Sequence, residues 1–244
     1  MATHLQRETE NLKKRILGLS ALVEDNLRRA LDSIERRDAA LAADAVDHDF
    51  EIDLMEVDVE EECLKTLALY QPVAGDLRFI VATIKINTTL ERIGDLAVNI
   101  AELAILLQKS EMPVVPFDMV GFADKARRMV GHSLDALVRA DTELARVVLA
   151  ADDEVDDLDH EYCGKLRETL EAHPEQMDPI VHLLQLSRFI ERIADHATSI
   201  AEDVIYMVEG EIPRHSVKRA VAEAMGIGGS TPATRRGSAE PRSS

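Results

Sequence analysis

The chain contains one twelve-residue segment twice, 100 residues apart. Residues 91–102 read ERIGDLAVNIAE and residues 191–202 read ERIADHATSIAE, and eight of the twelve positions are identical. In each copy two isoleucines are seven residues apart, Ile93 and Ile100 in the first. This is the spacing of a helix that buries one face in a bundle. A duplicated helix with a duplicated buried face restricts the chain to a helical fold built from two similar halves.

Breaks in the apolar periodicity divide each half into three helices. In the first half we expect helices over about 3–36, up to Leu69, and over about 76–107. In the second half Asp141 stands 103 residues after Asp38, and both are suited to cap the N-terminus of the middle helix. Helices of about 33 residues would be ~50 Å long. The pattern therefore predicts elongated three-helix bundles.

These segments predict an all-α fold of two tandem, pseudo-repeated three-helix bundles with six long helices. The first bundle occupies residues 1–112 and the second residues 113–212, because Pro113 and Pro116 interrupt the pattern between them. Residues 213–244 are rich in Gly, Ser and Pro. This composition predicts a flexible, disordered tail.

Composition excludes several classes of function. The chain carries 46 acidic and 28 basic residues, for a net charge of −18, and such a surface repels the phosphate backbone of nucleic acids. No segment approaches the roughly 20 apolar residues of a membrane span, and the N-terminal stretch has no apolar run typical of a signal peptide. We therefore expect a cytoplasmic protein that neither binds nucleic acid nor inserts into a membrane.

Acidic residues form narrow stripes on two helices of each half. One helical residue turns the chain by about 100°, so acids spaced by three, four, seven or eleven residues share a face. On the third helix of each half these are Glu91, Asp95 and Glu102, then Glu191, Asp195 and Glu202. On the middle helix they are Asp49, Asp53 and Glu56, then Asp152, Asp156 and Asp159. Cys163 replaces the fourth acid, Glu60, in the second half.

An acidic stripe is most often an ordinary solvated helix face. Such faces usually mix charges of both signs, because like charges at i, i+4 destabilise a helix. These stripes contain no Lys or Arg, and they recur at matched positions of both halves. Clustered carboxylates suit hard cations. We therefore predict that the twelve acids form two metal sites for a divalent metal or iron, namely Mg²⁺, Mn²⁺, Ca²⁺ or iron of unspecified charge.

Catalytic patterns are absent from the sequence. The di-metal enzymes of helical bundles use Glu-x-x-His pairs, whereas the spacing here is Glu-x-x-x-Asp. His196 in the second copy corresponds to Leu96 in the first, so no symmetric His ligand exists. No P-loop, dinucleotide-binding glycine motif or nucleophile elbow is present. We expect that the protein is not an enzyme.

The two halves, each closing with E-R-I-x-D-x-x-x-x-I-A-E, resemble the PhoU family of phosphate-signalling proteins. The likeness includes QPVAGDLRF at 71–79 and EVDVEEEC at 56–63, and it spans about residues 3–210. The second half has MDPIV at 177–181 in place of the Asp-Leu-Arg segment, so the halves need not be functionally equal.

The resemblance implies a cytoplasmic regulator of phosphate uptake and of the phosphate-starvation response. It implies partners in the phosphate transporter ATPase and a sensor histidine kinase, and we also expect a homodimer. Metal clusters of the family lie at motifs that match Glu91/Asp95 and Glu191/Asp195. Two other readings stay open: a metal-binding or storage protein without a signalling role, and a carboxylate-bridged metal oxidoreductase or hydrolase.

Overall fold

Six α-helices form the part of the chain that the structure describes, and the prediction of an all-α fold is confirmed. The structure is a computed structural model that describes residues 2–210, and none of these residues lies in a β-strand. The helices are α1 (Ala2–Arg36), α2 (Ala39–Tyr70), α3 (Ala74–Leu107), α4 (Met119–Arg139), α5 (Thr142–Ala172) and α6 (Met177–Glu209). The prediction of a disordered tail over 213–244 lies outside the described residues.

Matched aspartates begin the middle helix of each half. The side chain of Asp38 accepts hydrogen bonds from the backbone N–H groups of Ala40 and Leu41, and that of Asp141 accepts from Leu144. Such bonds satisfy backbone donors that the first helical turn leaves unpaired. The predicted pair of caps, 103 residues apart, is present in the fold.

The two bundles share one hydrophobic core. α1, α2 and α3 pack together, as do α4, α5 and α6, and α3 also packs along α6. Lys85 of α3 forms an ion pair with the largely buried Asp203 of α6 at 2.8 Å. The predicted boundary near residue 112 lies in the connection between α3 and α4, while the buried apolar side chains run continuously from one bundle into the other.

The first helix of the second bundle is shorter than its counterpart. α4 has 21 residues where α1 has 35, which differs from the uniform length of about 33 residues that the repeat suggested. Pro113 and Pro116 occupy the chain before α4, and proline lacks the backbone N–H that a continuing helix needs. Phe117, at the end of this connection, stacks on Tyr162 with ring centroids 4.6 Å apart.

No helix in the described part of the chain combines the length and the apolar character that crossing a membrane requires.

A glycine permits close packing of α2 against α3. A Cβ atom on Gly94 would lie 3.3 Å from Cγ2 of Ile52 and 3.4 Å from Oδ1 of Asp49. The second half has Ala194 and Val155 at the corresponding positions. Compared with the first half, glycine is replaced by the larger alanine and isoleucine by the smaller valine. The two halves thus keep the helix separation with different pairs of side chains.

This packing predicts unequal effects of alanine at two glycines. We expect Gly164→Ala to raise the free energy of unfolding by up to about 1 kcal/mol, because alanine favours the helix and nothing lies within 4 Å of the new Cβ. Gly94→Ala should gain less, because its Cβ meets Ile52. Adding Ile52→Val, which reproduces the pair of the second half, should recover part of the difference.

Urea unfolding of the three variants measures these differences. A gain at Gly94 as large as the gain at Gly164 would show that α2 and α3 are not in close contact there.

Candidate metal centre

The acidic stripes of α2 and α3 lie next to each other because these helices pack antiparallel. Nδ2 of Asn87 on α3 donates to the backbone carbonyl of Glu56 at 2.9 Å and to its Oε1 at 3.0 Å. Seven residues further along α3, Gly94 lies beside Asp49, which precedes Glu56 by seven residues on α2. The two contacts fix the register, so Asp53 of α2 and Glu91 of α3 lie between them.

Charge repulsion links the carboxylates of this first cluster. Burial, together with the charges of Asp53 and Asp95, raises the pKa of Asp49 to about 6. Burial and the charges of Asp95, Glu56 and Asp53 raise the pKa of Glu91. Each half-buried carboxylate therefore faces acids from both helices, and its ionised form is destabilised.

The second half repeats the arrangement between α5 and α6. Burial, followed by the charges of Asp156, Asp195 and Asp153, raises the pKa of Asp152 to about 6. The pKa of Glu191 is raised by burial and by neighbouring acids of both helices. The pKa of Asp195 is also raised by burial and by Asp156, with Arg192 acting in the opposite direction.

Ten of the twelve predicted site residues thus come together in two matched groups of five. The α2–α3 cluster is Asp49, Asp53, Glu56, Glu91 and Asp95, and the α5–α6 cluster is Asp152, Asp156, Asp159, Glu191 and Asp195. Glu102 and Glu202 each lie seven residues beyond the last acid of α3 or α6 in their cluster, about 10 Å along the helix axis. Glu102 is exposed and Glu202 partly exposed, and their role as ligands stays a prediction.

Two buried polar residues support the clusters and were not among the predicted site residues. Asn87 donates to Glu56 as described above, and at the matched place Oγ of Ser187 donates to Oδ1 of Asp159 at 2.5 Å. Both are buried, and each precedes the glutamate of its repeat by four residues. The sequence carries a signal for this pair, because Asn87 and Ser187 are also 100 residues apart, four positions before the repeated segment begins.

Sulfur distinguishes the second cluster from the first. Sγ of Cys163, at the position of Glu60, lies 3.8 Å from Oδ1 of Asp159. Burial, followed by the charge of Asp159, raises the pKa of the Cys163 thiol. The two clusters therefore match in their five acids and differ at the position of Glu60 and Cys163.

The donor set fits a hard cation in its chemistry. Each cluster offers five carboxylates from two helices. In the α2–α3 cluster, Oδ1 of the buried Asn87 also has no hydrogen-bond partner within residues 2–210. In the same part of the chain no three His, Cys, Asp or Glu side chains are grouped as ready ligands of one ion. Like charges repel one another, so these carboxylates would have to turn inward around a cation.

The chain is similar in sequence to accessory proteins of phosphate-specific transport systems. The family model described as the PhoU domain matches residues 16–104 and again residues 120–204, the two halves of the fold. The phosphate-specific transport system accessory protein PhoU homolog of Aquifex aeolicus is 40% identical over 212 residues, 86% of this chain and 96% of that protein. The corresponding homolog of Pseudomonas putida is 37% identical over 224 residues, 90% of this chain and 86% of its own length.

Solved structures agree with this comparison. The crystal structure of PhoU from Pseudomonas aeruginosa superposes with a TM-score of 0.81 at 33% sequence identity, covering 84% of this chain and 99% of that chain. The phosphate transport system regulatory protein PhoU from Streptococcus pneumoniae superposes with a TM-score of 0.79, covering 85% of this chain and 98% of its own. At 23% identity, the second match speaks for the fold alone.

Proposed function

Because this chain belongs to the PhoU family, we propose that it is a cytoplasmic regulator of phosphate uptake and of the phosphate-starvation response. The observation that carries the proposal is the family match, which covers both helical halves. Relatives named as accessory proteins of phosphate-specific transport systems align with 85% or more of the chain. A regulatory rather than a catalytic role accords with those names.

The proposed mode of action is that of an adaptor. It would join the ATPase of the phosphate transporter to a sensor histidine kinase, and the active form would be a homodimer. Long helices present extended surfaces for such contacts. Because the fold has six of them, different faces are available to the two partners.

Metal binding at the two clusters is part of the proposal. The donor chemistry supports a divalent cation or iron, and Mg²⁺, Mn²⁺, Ca²⁺ and iron are the candidates, since all accept carboxylate oxygens. A bound cation would supply positive charge between facing carboxylates. The protein's part would be to hold α2 against α3 and α5 against α6, with Asn87 and Ser187 orienting Glu56 and Asp159.

Deleting the gene tests the regulatory proposal. We expect alkaline phosphatase or transporter expression to rise in phosphate-rich medium, because the restraint on the starvation response would be lost. The wild-type gene supplied in trans is the control and should restore low expression. Expression that is the same with and without the gene would contradict the signalling role.

A second candidate, a metal-storage protein without a signalling partner, is favoured by one observation. α2 and α5 each carry ten acidic residues. The two clusters use only some of these acids. Storage predicts that the deletion strain loses tolerance to excess metal while its phosphate-regulated expression stays normal. The same pair of strains therefore distinguishes the two functions.

A further inference from the structure

α2 carries a strip of exposed apolar side chains along its outer face. Its four large members are Phe50, Leu54, Val57 and Leu64, which are 67%, 57%, 50% and 54% exposed. At about 100° per residue, the other three lie within about 40° of Phe50 around the helix axis. Ala68 is also exposed on this line. These five residues form the α2 strip, about 27 Å long at the rise of an α-helix.

The matched face of α5 is polar. With the 103-residue offset between the two middle helices, the four large positions of the strip correspond to Asp153, Asp157, His160 and Arg167, which are all exposed. α2 and α5 pack against α3 and α6 in the same way, so the fold does not require apolar side chains at these positions. Single exposed apolar residues are ordinary, but an aligned row that the matched helix lacks indicates a surface that another molecule covers.

The spacing of the strip is that of a seam between two helices. Positions 50, 54, 57, 61, 64 and 68 are separated by alternating gaps of four and three residues, the pattern of the a and d positions of a coiled coil. Glu61 is the single acid on this line, and it is exposed. One polar residue within an apolar seam fixes the register of the partner helix. The strip therefore suits a helix that carries an apolar strip of its own.

The charge of α2 beside the strip is almost entirely negative. α2 has ten acidic residues and one basic residue, Lys65, and Lys65 already pairs with Glu62 at 3.0 Å. Arg15 and Arg29 of α1 also reach α2, where each pairs with an aspartate. Five acids beside or within the strip form no ion pair within residues 2–210, namely Asp47, Glu51, Asp53, Glu60 and Glu61. A molecule on the strip therefore meets unneutralised carboxylates on both sides.

We propose that the α2 strip is the docking site for a basic amphipathic helix of a partner protein. The apolar side chains of that helix pack on Phe50, Leu54, Val57 and Leu64, and its Lys and Arg side chains face the unpaired acids on either side. A second copy of this chain does not fit, because two α2 helices would bring ten acids each, with one Lys apiece, into one interface. An acidic helix and an anionic membrane surface are repelled for the same reason.

This inference rests on the proposed adaptor function for the existence of such a partner, but its test measures binding alone. Three labelled peptides of three heptads each, about 31 Å long as helices, are titrated with the full chain in EDTA. The first has leucine at a and d and lysine-rich other positions, the second replaces its lysines by glutamates, and the third is a scrambled form of the first. We expect the first to bind at least tenfold more tightly than either of the others, and rising salt to weaken its binding.

Variants that carry the polar face of α5 locate the binding site. The quadruple variant Phe50→Asp/Leu54→Asp/Val57→His/Leu64→Arg should weaken the lysine heptad peptide at least tenfold. It adds two negative charges and one positive charge, so the nonspecific attraction of a basic peptide does not fall. The control, Val138→Arg with Val147→Asp, changes two exposed valines of α4 and α5 and should leave binding unchanged. Circular dichroism verifies folding, and Leu54→Asp alone, which should weaken binding about threefold, is the smaller variant.

Several outcomes would overturn the proposal. They are no binding of the lysine heptad peptide, equal affinity for it and for its scrambled form, and binding that the strip variants do not affect. A wild-type dimer in light scattering that the quadruple variant dissociates would assign the strip to a second copy of the chain. None of these outcomes alters the expression phenotype that tests the regulatory function.

Discussion

With EDTA at pH 7, the Asp49→Asn/Asp152→Asn variant should unfold with a free energy about 2 kcal/mol greater than that of the wild type. Burial and neighbouring acids raise the pKa of each aspartate to about 6, so ionisation of either carboxylate destabilises the folded state. Because both side chains are partly exposed, solvent screening reduces the effect to about 1 kcal/mol per site.

The pH dependence has a definite sign. An acid whose pKa is higher in the folded than in the unfolded chain binds its proton more tightly when folded. Stability from these two groups is therefore greatest below pH 4, falls as the pH rises to about 6, and is constant above. The variant should equal the wild type near pH 4 and exceed it at pH 7.

Urea unfolding at the two pH values checks this prediction. Glu61→Gln with Glu161→Gln is a matched control, since both residues are exposed acids of α2 and α5 and surface changes are usually worth less than about 0.5 kcal/mol. A double asparagine variant that is less stable than the wild type in EDTA at pH 7 would contradict the electrostatic account of the clusters.

Saturating Mn²⁺ should reverse the order of stability for a second variant, Asp95→Asn/Asp195→Asn. In EDTA the loss of two repelling charges should make this variant as stable as the wild type or more so. With Mn²⁺ at 100 times the dissociation constant, each filled site adds about 2.7 kcal/mol to the wild type. The variant, lacking a carboxylate in each cluster, should gain little.

Thermal unfolding with Mn²⁺ and with EDTA measures which of the two proteins is more stable in each condition. Fe²⁺ under anaerobic conditions is a second probe. The Glu61→Gln/Glu161→Gln control should follow the wild type in both conditions. A wild type whose midpoint of unfolding is the same with Mn²⁺ and with EDTA would mean that the stripes are solvated faces.

The repeat made most of the fold predictable. Heptad spacing of isoleucines such as Ile93 and Ile100 located the buried faces, and the aspartates at 38 and 141 located two helix starts. Both signals are local, because a helix is defined by neighbours within one or two turns. The continuous core between α3 and α6 was not predictable in this way, since it depends on how two bundles pack.

The same distinction holds for the clusters. Helical spacing was enough to place Asp49 and Asp53 on one face, and Glu91 and Asp95 on another. That these faces meet depends on the register of α2 against α3, which Gly94 and Asn87 set through contacts between helices. Glu102 shares the face of Asp95 on the helical wheel but lies about 10 Å further along the axis, and it is exposed.

Equilibrium dialysis against Mn²⁺, followed by metal analysis of the retained protein, tests whether the two clusters bind cations and how many. Wild type, Asp95→Asn, Asp195→Asn and the double variant are compared at one protein concentration. We expect each single variant to lose the Mn²⁺ of its own half and to keep that of the other, and the double variant to retain almost none. Equal Mn²⁺ on the wild type and on the double variant would contradict metal binding by these carboxylates.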